Sequence, residues 1–317
     1  MDFKISVIIP IYNVESYILR CLHSIILQET IEDIECILVD DCSTDATSYI
    51  VKEFIDTYHG NIHFVYVHHE INKGVSEARN TAMKLAKGTY LYFIDSDDFI
   101  DADCLSEMIR LIDKYPDVDM VISNNELNDV LCAPFGEYTE NIKIIKLNLL
   151  NYHGRTCSVL RHMVKRQLII SNNLKFQTGI IHEDNLWTFI MSKYVRTMAF
   201  SNEAKYHYST ENQNSIMRSK NVEKEIMAYK VLMEQFRENI NPTFLGLQKK
   251  FILSNLQSAI KEKYYHTNEE RKYLIEQLAS ICTLPETFFL KSYFVCRNKF
   301  VKRVSLSLLH KLFCLNG

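Results

Sequence analysis

Glycine and proline are scarce, at eight and five of 317 residues. That argues against long flexible linkers between elements. No uncharged apolar run approaches the ~18–20 residues of a membrane span, so no transmembrane helix is expected. The nine cysteines are scattered singly, odd in number, with no Cys-x-x-Cys pair and no Cys/His cluster at zinc spacing. This excludes a disulfide framework and fits the reduced thiols of a cytoplasmic protein. Met1-Asp2-Phe3-Lys4 leads straight into a strand pattern, without a charged n-region or long apolar h-region, so no signal peptide is expected. A net charge of -3 gives no general attraction to nucleic acid. Internal repeats and low-complexity tracts are absent as well.

What is present is a strand–helix alternation of ordinary globular composition. Ile5 to Ile9, Cys36 to Val39, Ile62 to Val67, Tyr90 to Ile94 and Val118 to Ser123 read as strands, the first two as runs buried on both faces. Helical periodicity fills the intervals, from Glu15, from Ala46 to Tyr58, from Val75 to Lys87 and from Asp101 to Tyr115. The alternation implies an α/β fold with a doubly wound, mostly parallel sheet and helices on both faces. After Asn124 the rhythm breaks. Ile142 to Lys146 reads as a strand, Leu147 to Tyr152 and Leu160 to Ile170 as helices, and Arg196 to Phe200 and Lys205 to Tyr208 as short strands. From Val222 onward the pattern is helical. The expected domains are a sheet-based domain over 1–215, with halves 1–125 and 126–215, and a helical C-terminal appendage over 216–317.

Each strand of the first half ends in polar residues, and a parallel sheet gathers such ends on one edge. The first strand supplies Pro10, Tyr12 and Asn13, and the second Asp40 and Asp41. The fourth stops at Asp95-Ser96-Asp97-Asp98. Three carboxylates within four residues repel one another unless a cation lies among them, and hard oxygen ligands suit Mg²⁺ or Mn²⁺. A strand followed by a helix N-cap at Asp98 or Asp101 is the plainer reading. An aromatic ring beside carboxylates suits a nucleotide: Tyr12 can stack on a base, and an Asp can accept from a ring N–H or ribose hydroxyl.

The segments Ser6-Val7-Ile8-Ile9-Pro10-Ile11-Tyr12-Asn13, Val39-Asp40-Asp41-Cys42-Ser43-Thr44-Asp45, Asn72 to Gly74 with Ser76, Ala78, Arg79 and Asn80, and Asp95-Ser96-Asp97-Asp98 keep an order and spacing that resemble the family 2 glycosyltransferases. The resemblance covers roughly the first 100 residues. It implies the GT-A fold, a nucleotide-diphosphate sugar donor (usually UDP-linked), a divalent metal, Mn²⁺ or Mg²⁺, and inverting transfer. By motif position Asp41 would meet the uracil or ribose, Arg79 the base or diphosphate, and Asp95 the ribose or sugar. Asp97 would bind the metal, with Asp95 beside it. Asp98 is left as second ligand or helix cap. Cys42 stands where the family usually has glycine, so a left-handed backbone there would be strained. The lack of a Gln-x-x-Arg-Trp segment speaks against a processive synthase and for transfer of single sugars.

Inversion also needs a base for the acceptor hydroxyl. His182-Glu183-Asp184-Asn185 opens a helical pattern, where the dipole keeps a carboxylate ionised, though acids there also serve as plain caps. The resemblance selects Asp184 as base, with Glu183 second. Trp187 can line an acceptor site or sit in the core. His207, in Lys205-Tyr206-His207-Tyr208, can reach the metal or diphosphate or be structural. Residues 287–317 carry no acid but Lys291, Arg297, Lys299, Lys302, Arg303 and Lys311, interleaved with apolar residues at helical spacing. That pattern fits peripheral membrane contact or a helix packed on the domain. The expected partners are a nucleotide-sugar donor and a saccharide or lipid-linked saccharide acceptor of polysaccharide biosynthesis, and no nucleic acid. Two rivals are a non-catalytic sugar-nucleotide sensor on the same fold and a nucleotidyltransferase. The latter would need a Gly-rich basic loop where Pro10-Ile11-Tyr12-Asn13 stands.

Overall fold

The computed structural model describes residues 3–28, 33–125, 136–150, 158–212, 222–261, 268–283, 286, 305–309 and 311–313. The chain forms two compact units. The first comprises Met1–Ile145, Ser158–Gly179 and Tyr194–Ser219; the second comprises Lys146–Cys157, Ile180–Lys193 and Lys220–Gly317. The expected single boundary at 215 is thus not how the contacts divide: two stretches of the 126–215 half belong with the C-terminal helices.

In the first unit, β1 (Ile5–Ile11) and β2 (Ile34–Asp40) are buried along their whole length. Their largely apolar runs need cover on both faces of the sheet, and the buried Ser6 and Glu35 satisfy one another, Ser6 Oγ donating to Glu35 Oε1 at 2.5 Å. β3 (His63–His68) is half-exposed and forms the edge. With β4 (Tyr90–Phe93) these strands make a parallel ladder in the order β3-β2-β1-β4, with Ile8 opposite both Ile37 and Phe93. The crossovers are α1 (Ile18–Ile26), α2 (Thr47–Thr57) and α3 (Val75–Leu85). The chain leaves β1 toward β2 and β3 and returns on the other side to β4. The C-terminal ends of β1 and β4 therefore flank the topological switch point, where open α/β sheets bind ligands.

Beyond β4 the sequence expectations need correction in four places. β5 (Phe99–Ile100) intervenes between Asp98 and α4 (Cys104–Lys114), so Asp98 caps no helix. β6 (Met120–Asn125) follows as expected. The run expected as a strand over Ile142 to Lys146 is helix α5 (Ile142–Leu149), after the short β7 (Tyr138–Thr139). The Asn141 side chain decides this, its carbonyl oxygen accepting from Lys143 and Ile144 N–H at 3.0 and 3.4 Å as a cap. The helix expected over Leu160 to Ile170 is strand β8 (His162–Lys165) followed by α6 (Arg166–Ser171). β8 fills the gap between β4 and β6, antiparallel to both, with Met163 opposite Tyr92 and Val121. Sheet pairing overrides an apolar pattern too short to show its period. The two short strands expected after Arg196 are one strand, β9 (Met198–His207), parallel to β6 with a register shift. There Ser201 Oγ accepts from Ala204 N at 2.8 Å and closes the irregularity.

The second unit is helical: α7 (Glu183–Met191), α8 (Val222–Glu238), α9 (Leu245–Lys261) and α10 (Asn268–Ala279). Phe189 of α7 packs against Phe236 and Phe251, ring centroids 4.7 and 5.6 Å apart. Leu309 and Phe313 are buried in the same cluster. The other tail residues expected at a membrane, Lys311, Leu308 and Leu312 apart, lie outside the described residues. Among the described residues no helix is long and apolar enough to cross a membrane.

Candidate active site

The polar strand ends converge in the first unit as a chain of linked side chains. Asn13, just past β1, takes φ 50°, and its Oδ1 accepts from Thr44 N at 2.8 Å. Its own N–H donates to Ser43 Oγ at 3.0 Å. Pro10 is buried within β1, while Tyr12 presents its ring to solvent, 46% exposed. Cys42 sits at φ 65°, the left-handed backbone that its glycine-like place in the motif implied.

The two acids that end β2 serve the scaffold differently. Asp40 accepts from Ser43 N at 2.8 Å, from Tyr66 Oη at 2.8 Å, and from Ser48 Oγ. Burial pushes its carboxyl up, but hydrogen bonds from Ser48, Ser43 and Tyr66 outweigh that and hold it below the usual range. Asp41 is buried and turns to the loop before α3. It accepts from Lys73 N, Gly74 N at 2.6 Å, and His69 Nδ1 at 2.7 Å. Gly74 has φ 88°, open only to glycine without strain, and its carbonyl starts α3.

Asp95, Asp97 and Asp98 present oxygens that all lie within 4.8 Å of one another. They are not equivalent. Asp95 is paired with the buried Arg79, Nη2 to Oδ1 at 2.7 Å, and Arg79 stacks over the Phe176 ring at 5.3 Å. Asp97 Oδ2 accepts from Asn212 Nδ2 at 2.8 Å, and its backbone oxygen accepts from Arg20 Nη2 at 3.0 Å. Burial first, then the Asp95 charge, push its carboxyl up. Asp98 is 1% exposed. It accepts from the Tyr206 hydroxyl on Oδ2 and from Ser209 N at 2.7 Å on Oδ1. Burial, then Asp95, push it up further still. Crowded acids whose ionised forms are disfavoured are chemically matched to a hard divalent cation.

His207 is not among the groups that converge there. Its Nε2 lies 2.6 Å from Asp101 Oδ1, and its ring stacks on Phe99 at 4.5 Å. In the second unit, His182 at φ 61° precedes α7, placing Glu183 and Asp184 in the first turn. Glu183 is buried. Asp184 is partly exposed, with Oδ1 accepting from Asn185 N at 2.8 Å. Trp187 is buried in the core, which decides between the two readings of it.

Four residues of this arrangement were given no role by sequence reasoning: Tyr206, Asn212, Arg20 and His69. Arg20 lies on α1. In the structure it reaches the Asp97 carbonyl, Ser209 Oγ and Glu211. Of the four residues only Tyr206 carries a sequence signal, the aromatic Tyr206-His207-Tyr208 cluster in an expected short strand.

The sequence matches the family described as Glycosyl transferase family 2 over residues 6–169, more than half of the chain. This chain belongs to glycosyl transferase family 2. The matched span holds the four motifs from Ser6 to Asp98 and stops short of the Glu183-Asp184 pair. A similar curated relative is the minor teichoic acid biosynthesis protein GgaB of Bacillus subtilis (strain 168). It is 31% identical over 227 residues, covering 68% of this chain and 24% of GgaB. The chain spans less than two thirds of the length of the curated relatives it matches. Among solved structures, S. aureus TarS 1-349 in complex with UDP-GlcNAc is similar at TM-score 0.71 and 19% identity, covering 99% of this chain and 93% of that one. The Pyrobaculum calidifontis mannosyltransferase PcManGT, with GDP-Man and Mn2+, is similar at TM-score 0.57 and 16% identity, covering 99% and 85%. The fold is therefore the GT-A type expected of family 2, with C-terminal helices.

Proposed function

We propose that this family 2 member is an inverting, metal-dependent glycosyltransferase. It moves one sugar from a nucleotide-diphosphate sugar, UDP-linked, to a saccharide or lipid-linked saccharide acceptor in polysaccharide biosynthesis. The observation that carries the reading is the trio of acids past the end of β4, with the buried Arg79 paired to Asp95, and an exposed Tyr12 just past the end of β1.

Tyr12 stacks on the base, with Pro10 and Asn13 shaping that corner. Asp41 accepts from the base or ribose, and Asp95 faces the ribose or sugar. Asp97 and Asp95 hold Mn²⁺ or Mg²⁺, to which their hard oxygens and proximity are suited. A divalent cation there supplies charge neutralisation on the departing diphosphate. Arg79 adds a fixed positive charge beside Asp95. Asp184 takes the proton of the acceptor hydroxyl while the acceptor oxygen attacks the anomeric carbon opposite the leaving diphosphate, which inverts that centre. The first turn of α7 favours the ionised form this needs. His207 lies against Asp101, so it serves this reading as a wall residue rather than a ligand.

The test is a thermal-shift panel of sugar nucleotides with Mn²⁺ or Mg²⁺. A donor at 100 times its Kd stabilises the folded state by ~2.7 kcal/mol. A cation-dependent shift with one UDP-sugar is expected. No shift with any common sugar nucleotide would sink the reading. The basic residues of 287–317 would bring a lipid-linked acceptor within reach, and binding to anionic liposomes checks that arm.

A further inference from the structure

One apolar rung and one polar rung link α7 to α9 within the second unit. Phe189 packs on Phe251 with ring centroids 5.6 Å apart. Asn185, one helical turn before Phe189, donates from Nδ2 to Oδ1 of Asn255, one turn after Phe251, at 2.9 Å. Residues at i and i+4 share a helix face, so both rungs lie on one contact face. Asn185 and Asn255 are both buried. The Asn255 Nδ2 also donates to the Phe251 carbonyl at 3.0 Å. That fixes its amide, with the nitrogen toward its own helix and the oxygen toward α7.

The apolar rung supplies burial, which has no direction. The polar rung does something that a pair of leucines would not. A buried amide separated from its partner is destabilising, so the two helices are held at the register in which the amides meet. Fixing register is the best-attested use of a buried polar pair in apolar surroundings. Register matters here because α7 is only nine residues long and its first turn carries Glu183 and Asp184. Asp184 precedes Asn185, about 100° around the helix. Its Oδ1 accepts from the Asn185 N–H at 2.8 Å. The backbone that anchors the Asp184 carboxylate is thus tied, through the Asn185 side chain, to α9.

From this rung we infer that Asn255 is a positioning residue for Asp184, acting through Asn185. The inference rests on the reading that Asp184 takes the proton of the attacking hydroxyl. Moving a reacting group by about 1 Å costs the chemical step up to ~10²-fold. Donor binding uses other residues in that reading, so loss of the rung falls on kcat and leaves donor affinity in place. A rung that served packing alone would lower stability and leave kcat unaltered.

The experiment follows UDP release from UDP-GlcNAc, UDP-glucose and UDP-galactose with Mn²⁺, on the full chain, with water as the acceptor. The water oxygen bonds to the anomeric carbon, its proton passes to Asp184, and UDP leaves with the electron pair of the broken C–O bond. The variants are N255S, N255L, D184N and, as a control for lost packing, L278A, whose side chain is buried in the same apolar cluster. All are assayed below the onset of their melts. Serine keeps a hydroxyl for the Phe251 carbonyl but stops one bond short of the Asn185 amide. In N255S and N255L kcat is expected to fall about 10–100-fold, with the Kd of UDP by calorimetry within about twofold of the parent. L278A is expected to melt lower than the parent and to keep kcat within about twofold. If N255S turns over at the parent rate, or L278A loses as much as N255S, while D184N is slow, the role of Asn255 is overturned and the base assignment stands. If D184N turns over at the parent rate, or the parent releases no UDP from any of the three donors, the functional reading itself fails and the inference falls with it. Should N255L fail to fold by thermal melt, N255S decides alone.

Discussion

The Tyr206 hydroxyl donates to Asp98 and at the same time accepts the backbone N–H of Asp95 at 3.2 Å. One side chain of β9 thereby ties the first and last acids of the strand-end trio into a fixed geometry. Replacing Tyr206 by Phe leaves Asp98 short of a buried donor, at a cost of ~1–3 kcal/mol. Thermal melts should show Y206F less stable than the parent. Mn²⁺ affinity by calorimetry should fall by about tenfold, as when a supporting hydrogen bond behind a metal ligand is removed. Unchanged Mn²⁺ affinity would detach Tyr206 from any metal role.

Asp97 carries most of the expectation for the cation. D97A should abolish the Mn²⁺-dependent part of UDP-sugar binding while leaving the fold intact, because the same change relieves like-charge crowding with Asp95. Calorimetry with and without Mn²⁺ reads this, and a cation-dependent increment that survives in D97A excludes it as ligand.

Asp184→Asn separates binding from chemistry. Donor affinity should match the parent, while transfer falls by about 10²–10⁴-fold, the usual contribution of a general base. Product formation at the parent rate would move the assignment to Glu183 or away from α7 altogether.

Cys42 is a non-glycine residue at φ 65°. The left-handed backbone costs such a residue ~1–2 kcal/mol, and glycine's extra unfolded-state entropy gives back ~0.5–1 kcal/mol of that. C42G should therefore raise stability by about 0.5–1 kcal/mol, less the weak contact of Sγ with the Glu70 carbonyl at 3.6 Å. Chemical denaturation of both forms decides the sign.

Asp40 links the strand end to acid stability. Its folded-state carboxyl lies below the unfolded value, so its contribution is fully present above about pH 4 and is lost as pH falls through the depressed folded value. D40N should flatten the acid limb of a melting-temperature profile below about pH 4. Parallel limbs would show that other carboxylates dominate.

The first half of the fold was readable because its strands are long enough to show their type. β1 and β2 are seven-residue buried runs, and the polar residues at their ends, Tyr12 and Asn13 after β1 and Asp40 and Asp41 after β2, fall together through parallel pairing. The second half was not, and the reason is length. β5 and β7 are two residues each and β8 is four, held by partners that are distant in sequence. The same applies within the site. Asp95 and Asp97 announce themselves by crowding, whereas Arg20, His69 and Tyr206 matter through contacts spanning 28 to 111 positions. A motif shows the groups that meet a ligand more readily than those that aim them.

Phe189 of α7 is covered by Phe236 and Phe251, although at least 45 residues separate it from either in the chain. The short helix bearing the proposed base is thus housed by the C-terminal helices. Any attempt to graft a new tail onto this protein at residue 215 would bring foreign lodging to α7. What houses α7 is a unit written in three separate passages of the chain, 146–157, 180–193 and 220–317.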